Sequence, residues 1–266
     1  MKTVSILGCG WLGFPLAIDL TQQQYQVKAS TTTPEKFLTL KKYDIIPFLI
    51  STKNSETNPS SLEDFLLCDV LIIAIPAKQN DKNYLSFLQN LIENKKLLQI
   101  KQIIFISSSS VYPDIEKNLT EEEYITAENT SKKIIFESEQ LFLQTNLNIL
   151  ILRCSGLMGY DRVAGKYFAN KTLDCKNAIV NYVHRDDIIA IINILIQKNI
   201  QTGIYNLCAP KHPTKEQVYV SNAQTHGFQK PIFKNTKTYK QRLIDGSLFC
   251  KEFNYSYKYQ NPINFK

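Results

Sequence analysis

Ile6 to Ala17, ILGCGWLGFPLA, lies at the junction of two unlike patterns. Before it, Thr3 to Gly8 (TVSILG) is a short β-branched apolar run, which reads as a strand; after it, Leu12, Leu16 and Leu20 recur at helical spacing with Gly13 and Ala17 beside them. Gly8, Gly10 and Gly13 therefore spell G-x-G-x-x-G in a strand-to-helix turn. There, the first glycine permits the tight turn, the second lets backbone approach a pyrophosphate, and the third lets helix pack closely on strand. The helix N-terminus then offers N–H groups to the anion. A turn that merely favours glycine has the same letters, and it is the position between strand and helix that favours a dinucleotide site. Gly8, Cys9, Gly10, Trp11, Leu12 and Gly13 are the expected cofactor-binding residues of this turn, with Trp11 either shielding the pyrophosphate or packing.

Working outward, the alternation repeats. Gln26 to Thr31 reads as a strand, Pro34 to Lys42 as a helix opened by proline, and Asp44 to Ile50 as a strand. Residues 51 to 60 (STKNSETNPS) read as a polar loop. Asp69 to Ala77 is apolar enough for a central strand buried on both faces, with a helix at about 81 to 96 and a strand from Gln102 to Ser107. A helix near 130 to 145, a strand from Asn148 to Cys154, an apolar helix at 186 to 198 and a strand from Gly203 to Cys208 follow. Thr214 and Gln217 form a capping-box pattern, and Gly227 ends that helix. The expectation is a doubly wound α/β fold: a parallel Rossmann sheet of strand order 3-2-1-4-5-6-7. It would be one NAD(P)-binding domain over 1–266, with a small C-terminal substrate lobe built mainly from about 157–185 and 209–266.

Composition narrows the class. With 266 residues, 44% hydrophobic and 21% charged, the chain has an ordinary globular make-up and can bury a substantial core. The longest apolar runs, Val70 to Ala77 and Ile188 to Ile196, are shorter than a membrane span of roughly 20 residues, so no transmembrane helix or membrane partner is expected and the chain reads as cytoplasmic. Six scattered cysteines form no C-x-x-C pair and no dense framework, which predicts reduced thiols. Three histidines without metal-pair spacing predict no metal site. The net charge of +7 comes from lysines dispersed as pairs, not from a stripe, so no nucleic-acid partner is expected.

The end of the second strand bears on cofactor choice, because an acid there binds ribose hydroxyls and repels a 2′-phosphate. Here Thr31, Thr32 and Thr33 replace the acid and Lys36 follows. Hydroxyl donors and an ammonium suit a phosphate, which favours NADP over NAD; a threonine-rich cap for the next helix fits the same residues. Ile75, Pro76 and Ala77 would line the cofactor at the carboxyl end of the fourth strand.

FISSSSVYP, Phe105 to Pro113, puts four serines at the carboxyl end of the fifth strand. It resembles the S-S-x-S-V-Y-G segment of the extended and atypical short-chain dehydrogenase/reductases, the superfamily of nucleotide-sugar epimerases and dehydratases. ILRCSGLMG (Ile151 to Gly159) is similar to that family's L-R-x-x-G-I-Y-G turn, NYVHRDDIIAII (Asn181 to Ile192) to its hVDDva segment, and GIYNLCAP (Gly203 to Pro210) to its G-x-Y-N strand. The likeness spans about residues 3 to 225, and G-C-G-x-L-G is similar to the NADP-preferring atypical members.

The resemblance implies that Ser108 hydrogen-bonds the reacting oxygen of a small-molecule substrate, with sugar nucleotides as the class it points to, and stabilises developing negative charge. Ser107, on the cofactor side, and Ser109, on the substrate side, would support it. Ser155 is placed with the cofactor residues. The family's acid/base is a tyrosine followed four residues later by a lysine. Counting back from ESEQLF, these positions fall on Ser131 and Ile135, which leaves Ser131 or a water as the alternative proton carrier. Tyr124 is too early, Lys132 and Lys133 point to other faces, and Tyr167 with Lys171 has the spacing but follows the sixth strand, as a surface helix would.

Tyr160, Arg162 and Lys166 either contact an anionic substrate group or are solvated. Asp186 or Asp187 reads as an N-terminal cap, not a catalytic acid. Two functions remain: an NAD(P)-dependent oxidoreductase or epimerase with a degenerate Tyr-x-x-x-Lys site, or a dinucleotide-binding sensor without turnover.

Overall fold

A computed structural model describes residues 1–53, 59–77, 82–234 and 240–265. The short apolar runs form one seven-stranded parallel sheet. Its strands are β1 (Thr3–Leu7), β2 (Gln26–Thr31), β3 (Ile46–Leu49), β4 (Val70–Ile73), β5 (Gln102–Ser108), β6 (Ile149–Cys154) and β7 (Gly203–Leu207). Their order across the sheet is 3-2-1-4-5-6-7. Register follows burial: Val4, Ser5, Ile6 and Leu7 stand opposite Val70, Leu71, Ile72 and Ile73, and all four β4 residues are buried, as a strand covered on both faces requires.

The helices of the alternation are α1 (Gly13–Gln22), α2 (Lys36–Lys41), α3 (Pro59–Leu66), α4 (Lys82–Glu93), α5 (Lys133–Leu143), α6 (Arg185–Gln197), α7 (Lys215–His226) and α8 (Ser247–Phe253). α7 has the expected ends: Thr214 and Gln217 make both bonds of the capping box, and Gly227 closes it at φ +69°.

Three expectations shift. β4 stops at Ile73, not Ala77, because the Ala74 N–H makes its bond to Leu7 (2.8 Å) just before Pro76, which has no N–H to donate. α3 occupies part of what reads as loop and unassigned chain; residues 54–58 of the expected loop lie outside the described residues. α5 begins at Lys133, because Thr130 and Ser131 turn their hydroxyls onto backbone carbonyls of Val111, Ser110 and Tyr112, the competing local bonding that keeps such residues out of helix interiors.

The chain divides into two compact units. One comprises Met1–Ser107, Lys133–Leu152 and Ile191–Ile204. Its core joins Leu7, Leu71, Ile73 and Phe105 of the sheet to Tyr84, Leu88 and Phe142 of α4 and α5, with the Phe105 and Phe142 rings 5.0 Å apart. The other comprises Ser108–Lys132, Arg153–Ala190 and Tyr205–Lys266, and the expected lobe segments fall within it. A smaller core there gathers Met158, Val163, Val180, Val218, Tyr219 and Phe265. Short parallel pairs stiffen it, Gly156–Met158 with Tyr182–His184 and Asn118–Leu119 with Leu243–Ile244. Among the described residues no helix is long and apolar enough to cross a membrane.

Candidate functional site

The turn between β1 and α1 is tied to the end of β2: the Gly8 N–H donates to Ser30 Oγ (2.8 Å) and the Cys9 N–H to the Ser30 carbonyl (2.8 Å). The three glycines are required for different reasons. Gly8 sits at φ +106°, and a Cβ there would lie 2.9 Å from the Ala74 carbonyl carbon. At Gly13 a Cβ would fall 2.2 Å from the Gly8 oxygen. Gly10 differs from both, since a Cβ there would meet nothing within 4 Å and its φ is not left-handed. The fold itself demands glycine at 8 and 13 and is indifferent at 10.

Gly8, Cys9 and Gly10 wall a cleft of about 270 Å³, joined by Thr31, Thr32, Thr33 and Lys36 from beyond β2 and by Ile75 and Pro76 from beyond β4. Leu12 is instead a core residue, 7% exposed, Gly13 packs on Gly8, and Trp11 and Ala77 stand outside the cleft lining. Sequence reading missed Ser30, Ile50, Thr52 and Ala74, which also line it. Ligands gather at the carboxyl ends of parallel strands; the same rule applied to β3 finds Thr52. Thr31 Oγ1 accepts from the Thr33 N–H (3.1 Å), which shapes the turn before Lys36.

Burial pushes the Cys9 thiol up to about 12, with the Lys36 ammonium pulling the other way. At pH 8 that leaves about one thiolate in ten thousand, and the thiolate is the reactive form. Mass-spectrometric mapping after brief iodoacetamide treatment at pH 8 should find Cys9 unmodified in the native protein and modified in denaturant. Fast native labelling at Cys9 would contradict the buried geometry. All six cysteines are free thiols.

The four serines are each held differently, which no flexible linker would show. Ser107 donates to Glu139 Oε1 of α5 (2.5 Å), and both are buried. Ser108 Oγ accepts from the Ser110 N–H (3.1 Å) and the Ser110 hydroxyl (2.9 Å). Accepting twice, it keeps its own O–H as a donor. Ser109 is buried.

Tyr112, fully buried, donates to Asn206 Oδ1 (2.8 Å) and accepts from Arg153 Nη1 (3.0 Å); burial raises its phenol above the ordinary value. Bonded on both sides, its hydroxyl anchors the segment. Ser155 is buried, its N–H donating to the Leu207 carbonyl (2.9 Å).

At the expected acid/base position the structure places a tie. Ser131 precedes α5, its Oγ 2.7 Å from the Tyr112 carbonyl and 2.8 Å from that of Ser110, so its proton is committed. Ile135 is buried. Tyr124 and Tyr167 are 80% and 61% exposed, and Tyr167 lies in a 3₁₀ turn, Ala164–Phe168, not a surface α-helix.

Tyr160, of the expected anion-binding set, donates to Asp186 Oδ2 (2.7 Å) and carries the Arg185 guanidinium 4.2 Å over its ring. Arg162 closes a tight turn with Gly159 through paired backbone bonds of 3.0 and 3.1 Å, and both it and Lys166 are exposed. Asp186 and Asp187 lie in the first turn of α6, past its start. Asp187 is not a cap but a buried acceptor for three donors between Tyr255 and Tyr259. Among the described residues no cluster of His, Cys, Asp and Glu could hold a metal.

The sheet order, the glycine turn after β1 and the serines after β5 define a Rossmann fold of the doubly wound kind. Within it the chain belongs to the family of Protein YeeZ from Escherichia coli (strain K12), with which it is 35% identical over 269 residues, 99% of this chain and 98% of that one. No protein-family model matches the chain. Among solved structures it is similar to UDP-glucuronic acid 4-epimerase from Bacillus cereus in complex with NAD, at 19% identity and TM-score 0.76 over 96% of this chain and 94% of that one. It is likewise similar to a short-chain dehydrogenase/reductase superfamily protein from Agrobacterium tumefaciens with bound NAD, at 13% identity and TM-score 0.77 over 96% and 92%. At these identities the likeness shows the fold.

Proposed function

We propose that the protein is a cytoplasmic NAD(P)-dependent enzyme of epimerase or reductase type, acting at a carbonyl or carbinol carbon of a small molecule of the sugar-nucleotide class. The observation that carries this reading is Gly10: a glycine that neither packing nor backbone geometry explains, on the wall of a cleft at the strand ends. Clearance for a ligand backbone is the remaining physical reason for the missing side chain. The first turn of α1 adds N–H groups and a dipole suited to a diphosphate. The bound dinucleotide would supply or accept hydride. The chain would hold it through Gly8, Cys9 and Gly10 at the diphosphate and through Ile75 and Pro76 further along, with Ser107 and Ser155 the further residues assigned to it on the resemblance. Ser108, with its free O–H, would orient the substrate oxygen, and Ser109 would support it. Six thiols without a pairing pattern suit a reducing compartment. Calorimetry with oxidised and reduced forms of both pyridine coenzymes tests the reading; no heat with any of them sinks it.

NADP is the preferred coenzyme on this reading, because Thr32, Thr33 and Lys36 border the cleft and no acid stands at the end of β2 to repel a 2′-phosphate. Lys36→Ala should weaken NADP about tenfold, roughly 1.4 kcal/mol, and leave NAD within about twofold. Equal losses for the two coenzymes in the same titration would place Lys36 away from the 2′ position.

A second reading, a dinucleotide sensor without turnover, is favoured by one observation: Ser131, which the count from ESEQLF matches to the acid/base tyrosine of the resembled family, with Ile135 matched to its lysine, has its hydroxyl bonded to backbone. Steady oxidation of NADPH with any member of a broad carbonyl panel excludes the sensor, and tight binding with none supports it.

A further inference from the structure

The cation next to the serine cluster comes from far along the chain. Arg242 is half-buried, and its Nη1 lies 3.4 Å from Ser131 Oγ and 3.5 Å from the Tyr112 carbonyl. Both contacts are long for N–H···O bonds, and both partners are uncharged. Among the described residues no carboxylate makes an ion pair with Arg242, although a guanidinium has five donors and half-buried cations are ordinarily compensated. Its backbone, in contrast, is firmly held. The Arg242 carbonyl accepts from Asn181 Nδ2 (2.9 Å), and Asn181 Oδ1 accepts from the Ile244 N–H (3.0 Å). Leu243 and Ile244 pair with Asn118 and Leu119. A rigid mount carrying an under-bonded cation is a preorganised anion receptor.

The position of that receptor follows from the hydrogen bonds. Ser131 Oγ, which Arg242 approaches, donates to the Ser110 carbonyl, and Ser110 donates through its N–H and hydroxyl to Ser108. We infer that Arg242 is a substrate-binding residue and that the substrate carries a carboxylate close to its reacting carbon. This rests on the reading above in which Ser108 meets the reacting oxygen. One guanidinium fork matches the two oxygens and single charge of a carboxylate, whereas a phosphate dianion calls for a second cation, and the other guanidinium on this segment, that of Arg153, is turned onto the buried Tyr112 hydroxyl (3.0 Å). An arginine stays protonated, so Arg242 recognises and orients and exchanges no proton.

The test uses the full chain saturated with NADPH, after calorimetry has established coenzyme binding. Failure at that first step is failure of the proposed function, not of this inference. Two matched pairs are then titrated: UDP-glucuronate against UDP-glucose, and D-glucuronate against D-glucose, with D-glucose 6-phosphate as the phosphate counterpart. In at least one pair the carboxylate should bind at least about tenfold tighter. Arg242→Gln should erase that preference at unchanged melting temperature and unchanged coenzyme affinity, and Arg242→Lys should keep part of it. With coenzyme bound, the inference is overturned by any of three results: no carboxylate outbinding its neutral counterpart, glucose 6-phosphate outbinding glucuronate, or an intact preference in Arg242→Gln.

Discussion

Valine in place of Gly10 is expected to weaken pyridine-dinucleotide binding by at least about 100-fold, roughly 2.7 kcal/mol, while the melting temperature stays within about 2 °C of wild type. The two halves of that expectation have separate causes. A Cβ at Gly10 meets no protein atom within 4 Å and its φ is open to any residue, so the native fold has nothing to lose. The same Cβ, with two methyl groups added, occupies the path by which a diphosphate would approach the turn. Gly13→Ala is the opposite control: its Cβ would fall 2.2 Å from the Gly8 oxygen, a backbone clash that no rotamer relieves, and it should cost about 3 kcal/mol or more of stability. Calorimetry and thermal melts on the two variants separate ligand clearance from packing. If Gly10→Val binds NADP like wild type, the diphosphate does not cross this turn, and the assignment of the cleft goes with it.

The difference between these two glycines also marks what could be read before the structure. That 8, 10 and 13 form a strand-to-helix glycine turn follows from letters and position, because strand and helix periodicities change on either side of it. Which glycine the packing leaves open does not follow, since it depends on Ala74 and Gly8 as neighbours in space. The central place of β4 was legible for a similar reason: VLII at 70–73 is apolar at every position, as a strand covered on both faces requires.

α3 was missed because its signals, Pro59 at the start and Leu62, Phe65 and Leu66 on one face, follow directly on a polar tract. Ser131 was placed by counting along a helix that begins two residues later, and Thr52 lay outside the strand ends considered. Arg242 has no local signature. It reaches Ser131 across 111 positions of sequence, and its backbone is held by Asn181 across 61, contacts that a periodicity cannot announce.

Asp187 shows the same limit with a larger energetic consequence. An acid at the head of an apolar helix reads as a cap, yet its oxygens face the C-terminal segment. Oδ1 accepts from the Tyr255 hydroxyl (2.7 Å) and the Lys258 N–H (2.7 Å), and Oδ2 from the Tyr259 N–H (3.1 Å). The carboxylate is 1% exposed, so these are bonds to a charge shielded from water, each worth about 1.5 to 3 kcal/mol. The segment depends on them: Tyr259 stacks on the buried His184 ring at 3.6 Å, and Tyr257 accepts the Cys208 N–H (3.2 Å).

Asp187→Ala should therefore cost about 4 kcal/mol, because three donors lose their acceptor while the apolar contacts partly hold. For a chain of this length that corresponds to about 7 °C in melting temperature. Asp187→Asn, which keeps one carbonyl acceptor, should lose less. Hydrogen exchange distinguishes this from a general weakening: the Lys258 and Tyr259 amides should lose protection first, while amides of β1 and β4 and dinucleotide affinity at the glycine cleft stay near wild type, since both lie in the other compact unit. Unchanged protection at Lys258 and Tyr259 in Asp187→Ala would mean that the ring stacking alone docks the segment.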